Sequence, residues 1–233
     1  MKRHFYLLAI AILLLAAVGN ANAVTTTSVT GAWSNAVGGA NVNYPIDVAI
    51  GYGNGLEDQV RWGQDAGYGQ SGLGFTGSAP PDQVFPLNTP FQVGQLQHFN
   101  NTVELGSSSS AVDLTITMLF SDPVGLSGDF DFTLNINETP NTNVPPDDFI
   151  YFPDVLPSRS VIVDDTLYTL QILGFGLDPD NLTEQFQSPE GTTNATYLWA
   201  EITARPVIPA PAALLLGAIG TGLVGYLRGR RTL

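Results

Sequence analysis

Two stretches of this chain alternate apolar and polar residues with a period of two, and a turn-rich octapeptide joins them. In Val112-Asp-Leu-Thr-Ile-Thr-Met-Leu-Phe120 the apolar set is Val112, Leu114, Ile116, Met118 and Phe120. In Asp129-Phe-Asp-Phe-Thr-Leu-Asn-Ile-Asn137 it is Phe130, Phe132, Leu134 and Ile136. A helix would scatter these side chains around its axis, whereas an extended strand gathers them on one face and leaves the other wet. Ser121-Asp-Pro-Val-Gly-Leu-Ser-Gly128 between them is turn material. The pattern predicts an antiparallel β-hairpin that must bury one face against further structure.

The rest of the chain offers strands for that purpose. Further strands are expected at Val29–Trp33, Asp47–Ile50, Gln59–Trp62, Phe91–Phe99, Arg159–Val163, Leu167–Phe175 and Tyr197–Ala204. Asp164-Asp165 falls between two of them and suits a tight hairpin turn, because Asp tolerates left-handed backbone angles. Gly, Pro and Asn punctuate the chain, as in Gly38-Gly39-Ala40-Asn41, and long helical heptads are missing. Many short strands so divided predict an all-β fold, an antiparallel β-sandwich of jelly-roll-like type.

Both ends differ from this body. Met1-Lys-Arg-His opens a basic segment, residues 5–18 are apolar, and Ala21-Asn22-Ala23 is a small-x-small site. This predicts a signal peptide over residues 1–23, the alternative being an uncleaved anchor helix. At the other end Pro209-Ala210-Pro211 precedes the apolar run 212–227, and Arg228, Arg230 and Arg231 follow. As a helix the run is roughly 24 Å long, slightly short of the hydrocarbon core of roughly 30 Å. Gly217, Gly220, Gly222 and Gly225 lie on or near one stripe suited to close helix contact. The arginines favour a cytoplasmic end, so the body is expected outside the cytoplasm. The expected layout is a signal peptide at 1–23, a β domain at 24–204, a linker at 205–208 and a membrane-directed tail at 209–233.

Composition of the body narrows its chemistry. All 21 acidic residues lie within residues 24–208, against Arg61, Arg159 and Arg205, a net charge of −18. Such a surface repels nucleic acid and anionic lipid. With no cysteine, neither a disulfide nor thiol chemistry is available to an exported domain.

The order Pro209-Ala-Pro211, apolar helix, arginine cluster resembles the PEP-CTERM sorting signal of Gram-negative bacteria, with Ala210 where that motif carries Glu. The resemblance implies export by the Sec machinery, cleavage by a membrane-embedded exosortase, and residence at the cell surface or outside the cell. A plain tail anchor is the alternative. Within the body, Val60-Arg-Trp-Gly63, Gln70-Ser-Gly-Leu-Gly-Phe-Thr76 and Phe91-Gln-Val-Gly-Gln-Leu-Gln-His-Phe-Asn-Asn101 are similar to the THxN family, or choice-of-anchor K domain. His98 and Asn100 match the name-giving motif, while Gln97 departs from its Thr. The family brings a location and a domain type, with no biochemical activity attached.

Three groups of residues are candidates for a site. His98 is the sole imidazole outside the expected signal peptide, and Asn100 shares its strand face. The pair either satisfies neighbouring backbone or faces a ligand or metal. Arg61 suits an ion pair or a stacked guanidinium, and Trp62 either fills the core or stacks on a sugar; Gly63 completes the motif. Asp178, Asp180 and Glu184 offer oxygen ligands suited to Ca²⁺, or else form solvated turns. No other cofactor is expected.

Enzyme motifs are lacking. Gln70-Ser71-Gly72 lacks the glycine spacing of a nucleophile elbow, a triad would depend on His98 alone, and a zinc enzyme would lack its usual ligand set. The expectation is a non-enzymatic, exosortase-processed surface or matrix protein, structural or adhesive in biofilm or exopolysaccharide. A glycan- or Ca²⁺-binding lectin-like module is the alternative, and a secreted glycoside-active enzyme a remote one.

Overall fold

The computed structural model describes residues 23–50, 55–78, 82–139, 147–152, 155–207, 216–223 and 228. Thirteen strands are described: β1 (Ala23–Gly38), β2 (Val48–Ala49), β3 (Leu56–Trp62), β4 (Ser71–Gly77), β5 (Gln83–Pro86), β6 (Phe91–Asn100), β7 (Ser109–Asp122), β8 (Gly128–Asn137), β9 (Asp147–Tyr151), β10 (Ser158–Val163), β11 (Thr166–Gly176), β12 (Gln185–Pro189) and β13 (Thr192–Pro206). They form two antiparallel sheets, one ordered β12-β9-β8-β7-β1-β5 and the other β10-β11-β13-β6-β4-β3-β2. The molecule is a β-sandwich.

The hairpin expected from the alternating segments is β7–β8, with Leu114 opposite Phe132 and Ile116 opposite Phe130. Its apolar face supplies Val112, Leu114, Ile116, Met118, Leu134 and Ile136 to the core between the sheets. The wet face is a ladder of cross-strand hydrogen bonds. Thr115 Oγ1 donates to Asp131 Oδ1 at 2.6 Å, Thr117 Oγ1 to Asp129 Oδ1 at 2.7 Å, and Thr133 Oγ1 to Asp113. Directly opposed residues are the natural partners in such a pair.

Asp164 and Asp165 both adopt left-handed angles, with φ of 47° and 58°, and join β10 to β11 by a two-residue turn. This is the primed hairpin geometry that matches strand twist. All nine strands anticipated from the sequence are present. β4, β5, β9 and β12 are additional, and β4 shows why. Its seven residues are all buried, but glycine interrupts the alternation. A Cβ at Gly72 would stand 2.2 Å from the Val60 carbonyl oxygen, so backbone from β3 takes the space a side chain would need.

Strands reach the residues at both ends of the body. Ala23, the expected last residue of the signal peptide, is the first residue of β1 and pairs with Pro86 of β5. β13 continues through Arg205 and Pro206, the first half of the expected linker, and the Val207 N–H donates to the Asp165 carbonyl at 2.7 Å. Of the apolar run 212–227, residues 216–223 are helical. The remainder of that run lies outside the described residues, as do residues 1–22, Pro209, Ala210, Pro211, Arg230 and Arg231. Among the described residues no helix is long and apolar enough to cross a membrane.

Candidate functional site

His98 lies near the end of β6, in the middle of the second sheet, with its side chain directed into the sandwich and fully buried. Strand alternation puts Leu96, His98 and Asn100 on that inner face. Opposite them, Asp148 takes an inward position of β9, and Glu138 follows directly on β8. His98, Glu138 and Asp148 each bring one ligand-type atom to a point where all three lie within 4.8 Å of one another. One residue comes from the second sheet and two from the first, so the group bridges the sandwich.

The surrounding residues hold the two carboxyls in place. Trp62 Nε1 donates to Glu138 Oε1 at 3.0 Å, and Ser71 Oγ reaches the same oxygen at 3.4 Å. The Thr139 N–H donates to Asp148 Oδ1 at 2.7 Å, with Thr139 Oγ1 at 3.2 Å. Asn100 Nδ2 donates to the Ser188 carbonyl at 2.8 Å, which links β6 to β12 across the same gap. Ser188 stands opposite Asp148 in the β9–β12 pairing. The Trp62 indole lies alongside the His98 imidazole, with ring centroids 6.5 Å apart and planes inclined by 30°.

The balance of partners is incomplete. Neither His98 Nδ1 nor Nε2 has a hydrogen-bond partner in the protein, and the same holds for Asp148 Oδ2 and Asn100 Oδ1. Burial, and secondarily the positive charge of Arg61, pushes the imidazole down to about 3, so His98 is neutral at physiological pH. Burial raises Glu138 above the usual carboxylate range, and the adjacent Asp148 charge adds to the shift. Asp148 is raised by burial as well, against the opposing hydrogen bond from the Thr139 N–H. A neutral imidazole and two desolvated carboxyls can take a cation jointly, or share a proton between the acids.

The other candidates resolve into structural roles. Trp62 is fully buried, so it presents no face to a sugar, and the glycan contact considered for it has no surface to act from. Arg61 points the other way, with its guanidinium carbon 3.4 Å from the centroid of the Phe99 ring. Its Nε donates to Gln59 Oε1 at 2.9 Å and its Nη1 to the Gln70 carbonyl at 3.3 Å. Gly63 has a φ of 98°, and a Cβ there would stand 2.4 Å from Val103, so this residue closes the strand as only glycine can. Asp178 Oδ1 accepts from the Asp180 N–H and from Asn181 Nδ2, both at 3.0 Å, an exposed Asx turn. Asp178, Asp180 and Glu184 do not converge on one point. Among the described residues His98, Glu138 and Asp148 are the one group of three that does.

Sequence reasoning paired His98 with Asn100 and missed Glu138. It did not single out Asp148 either. A signal was available in Asp147-Asp-Phe-Ile-Tyr151, which alternates with Ile150, so an acid at position 148 faces the core.

No protein-family model and no curated protein matches the chain.

Proposed function

We propose that this is an exported, non-enzymatic β-sandwich of the bacterial surface or extracellular matrix, delivered by its two terminal segments and cut at the second by an exosortase. The observation that carries the reading is the combination of a signal-like start, a Pro-Ala-Pro, apolar, arginine-rich end, and a cysteine-free acidic body between them. On this reading the body is a choice-of-anchor K-like domain wound as a jelly roll. Pairing within each sheet of strands far apart along the chain supports that winding, as of β1 with β7 and of β6 with β13. Its role is structural or adhesive, in contact with exopolysaccharide. Burial of His98 and Asp148 argues against turnover of a polymeric substrate there.

A second reading, a glycan-binding module, draws on the outer face of the first sheet. Ser34, Asn35, Asp113, Thr115, Asp131, Phe132 and Thr133 line an open recess of about 320 Å³. Carboxylates, an amide and hydroxyls are groups that recognise sugar hydroxyls.

Mass spectrometry of the protein from cells with and without an active exosortase tests the first reading. The expected result is loss of the segment beyond Pro211 only when the exosortase is present. An intact C-terminus through Leu233 in both strains overturns it. A glycan array tests the second, with binding expected to fall when Asp113 and Asp131 are replaced by Ala.

A further inference from the structure

The gap between the sheets holds a buried histidine with two bare nitrogens facing two carboxyls, Asp148 buried and Glu138 half-buried. We propose that His98, Glu138 and Asp148 bind one divalent transition-metal ion, zinc foremost, as a structural staple between the two sheets. The proposal is independent of where the protein is delivered.

Three observations carry it. The first is convergence, since the three ligand atoms already lie within 4.8 Å of one another. A tetrahedral zinc ion with bonds of about 2.0–2.2 Å needs its ligands about 3.4 Å apart, so side-chain movements of about 1 Å close the group on the ion. The second is the fully buried imidazole, whose nitrogens have no protein partner although burial without a partner is costly. A metal bond satisfies one of them and uses the neutral form. The third is the outer support. Thr139 occupies Asp148 Oδ1 and leaves Oδ2 bare, while Trp62 and Ser71 fix Glu138 from the far side. Groups that orient ligands in this way are the usual second layer around a bound metal.

Ligand chemistry selects the ion. One nitrogen and two carboxylate oxygens suit Zn²⁺, with Co²⁺ and Mn²⁺ able to substitute, whereas Ca²⁺ takes six to eight oxygens. A doubly charged ion also removes the repulsion between two carboxylates held side by side. The imidazole comes from the second sheet and the two carboxyls from the first, so the ion, with a water as its fourth ligand, is a cross-link between them. In a chain without cysteine it does the work a disulfide does in other exported domains.

The test uses the full chain in detergent, stripped with a chelator and titrated with Co²⁺ or Zn²⁺ in the presence of excess Mg²⁺ to occupy weak surface sites. The expected result is one equivalent bound per chain, a visible Co²⁺ absorption band, a change in tryptophan emission from Trp62, and a rise in Tm of about 5–10 °C at a hundredfold excess over Kd. H98Q and D148N are expected to abolish all four. Absence of saturable binding by the unmodified chain overturns the proposal, as does undiminished binding by H98Q. If H98Q does not fold, the imidazole ¹⁵N resonances of the unmodified chain decide. A shift of the His98 signals with Zn²⁺ supports the site, and binding that leaves them unmoved refutes it.

Discussion

The indole N–H of Trp62, from the second sheet, donates to Glu138 Oε1, at the end of a strand of the first, at 3.0 Å. The bond ties a fully buried aromatic to a carboxyl that burial alone would make unwelcome in the core. Replacement of Trp62 by Phe keeps most of the ring volume and removes the donor. The variant is expected to lose about 2–3 kcal/mol in denaturant unfolding, from the stranded acceptor and the small cavity together. A loss below about 0.5 kcal/mol would mean that the bond contributes little.

Asn100 performs the corresponding task for backbone. Its amide donates to the Ser188 carbonyl across the two sheets. Asn100→Ala is expected to cost about 1–3 kcal/mol, because a buried carbonyl loses its donor. Amide hydrogen exchange is expected to rise first in β12, an edge strand held mainly by β9. Uniform exchange across the sandwich would contradict this.

Glu57 makes the protein sensitive to pH. It is almost fully buried, its Oε1 accepts from Gln59 Nε2 at 2.6 Å, and its Oε2 has no partner. Burial raises its pKa above 4.5, opposed by the Gln59 hydrogen bond and the Arg61 charge. A raised carboxyl favours the folded state below its unfolded pKa, and that contribution is lost as pH rises through the folded value. Glu57→Gln removes the dependence. The difference in Tm between Glu57→Gln and the unmodified protein is therefore expected to shift in favour of the variant from pH 4 to pH 8. A constant difference across that range would refute the assignment.

The Asp164-Asp165 turn carries two left-handed residues and two like charges. The double change D164N/D165G places the preferred pair in the same geometry and is expected to add about 0.5–1 kcal/mol. The gain should persist in 1 M salt, where repulsion between the aspartates is screened. A gain that vanishes in salt would assign it to charge alone.

How much of this was legible depended on periodicity. The β7–β8 hairpin and the Asp164-Asp165 turn were plain, because period two and turn chemistry are local signals. β4 was not, because its alternation is erased where glycines make room for β3. His98 stood out as a lone imidazole, but its partners lie 40 and 50 residues further along the chain. Nothing in local pattern joins β6 to β9, since only the packing of one sheet on the other brings them together. Trp62 was ambiguous for a related reason: alternation allows either Arg61 or Trp62 to face inward, and the Glu138 acceptor that decides it belongs to the opposite sheet.

The position of β13 between β11 and β6 also sets an order of events. β13 is the last of the described strands in chain order yet central to its sheet, so β6 and β11 stay unpaired along one side until residues 192–206 arrive. Nonlocal closure of this kind is slow, and it leaves open sheet edges exposed to other chains in the meantime. Closure of the second sheet thus waits on residues 192–206, and a truncation before Thr192 is expected to remove that sheet as a whole.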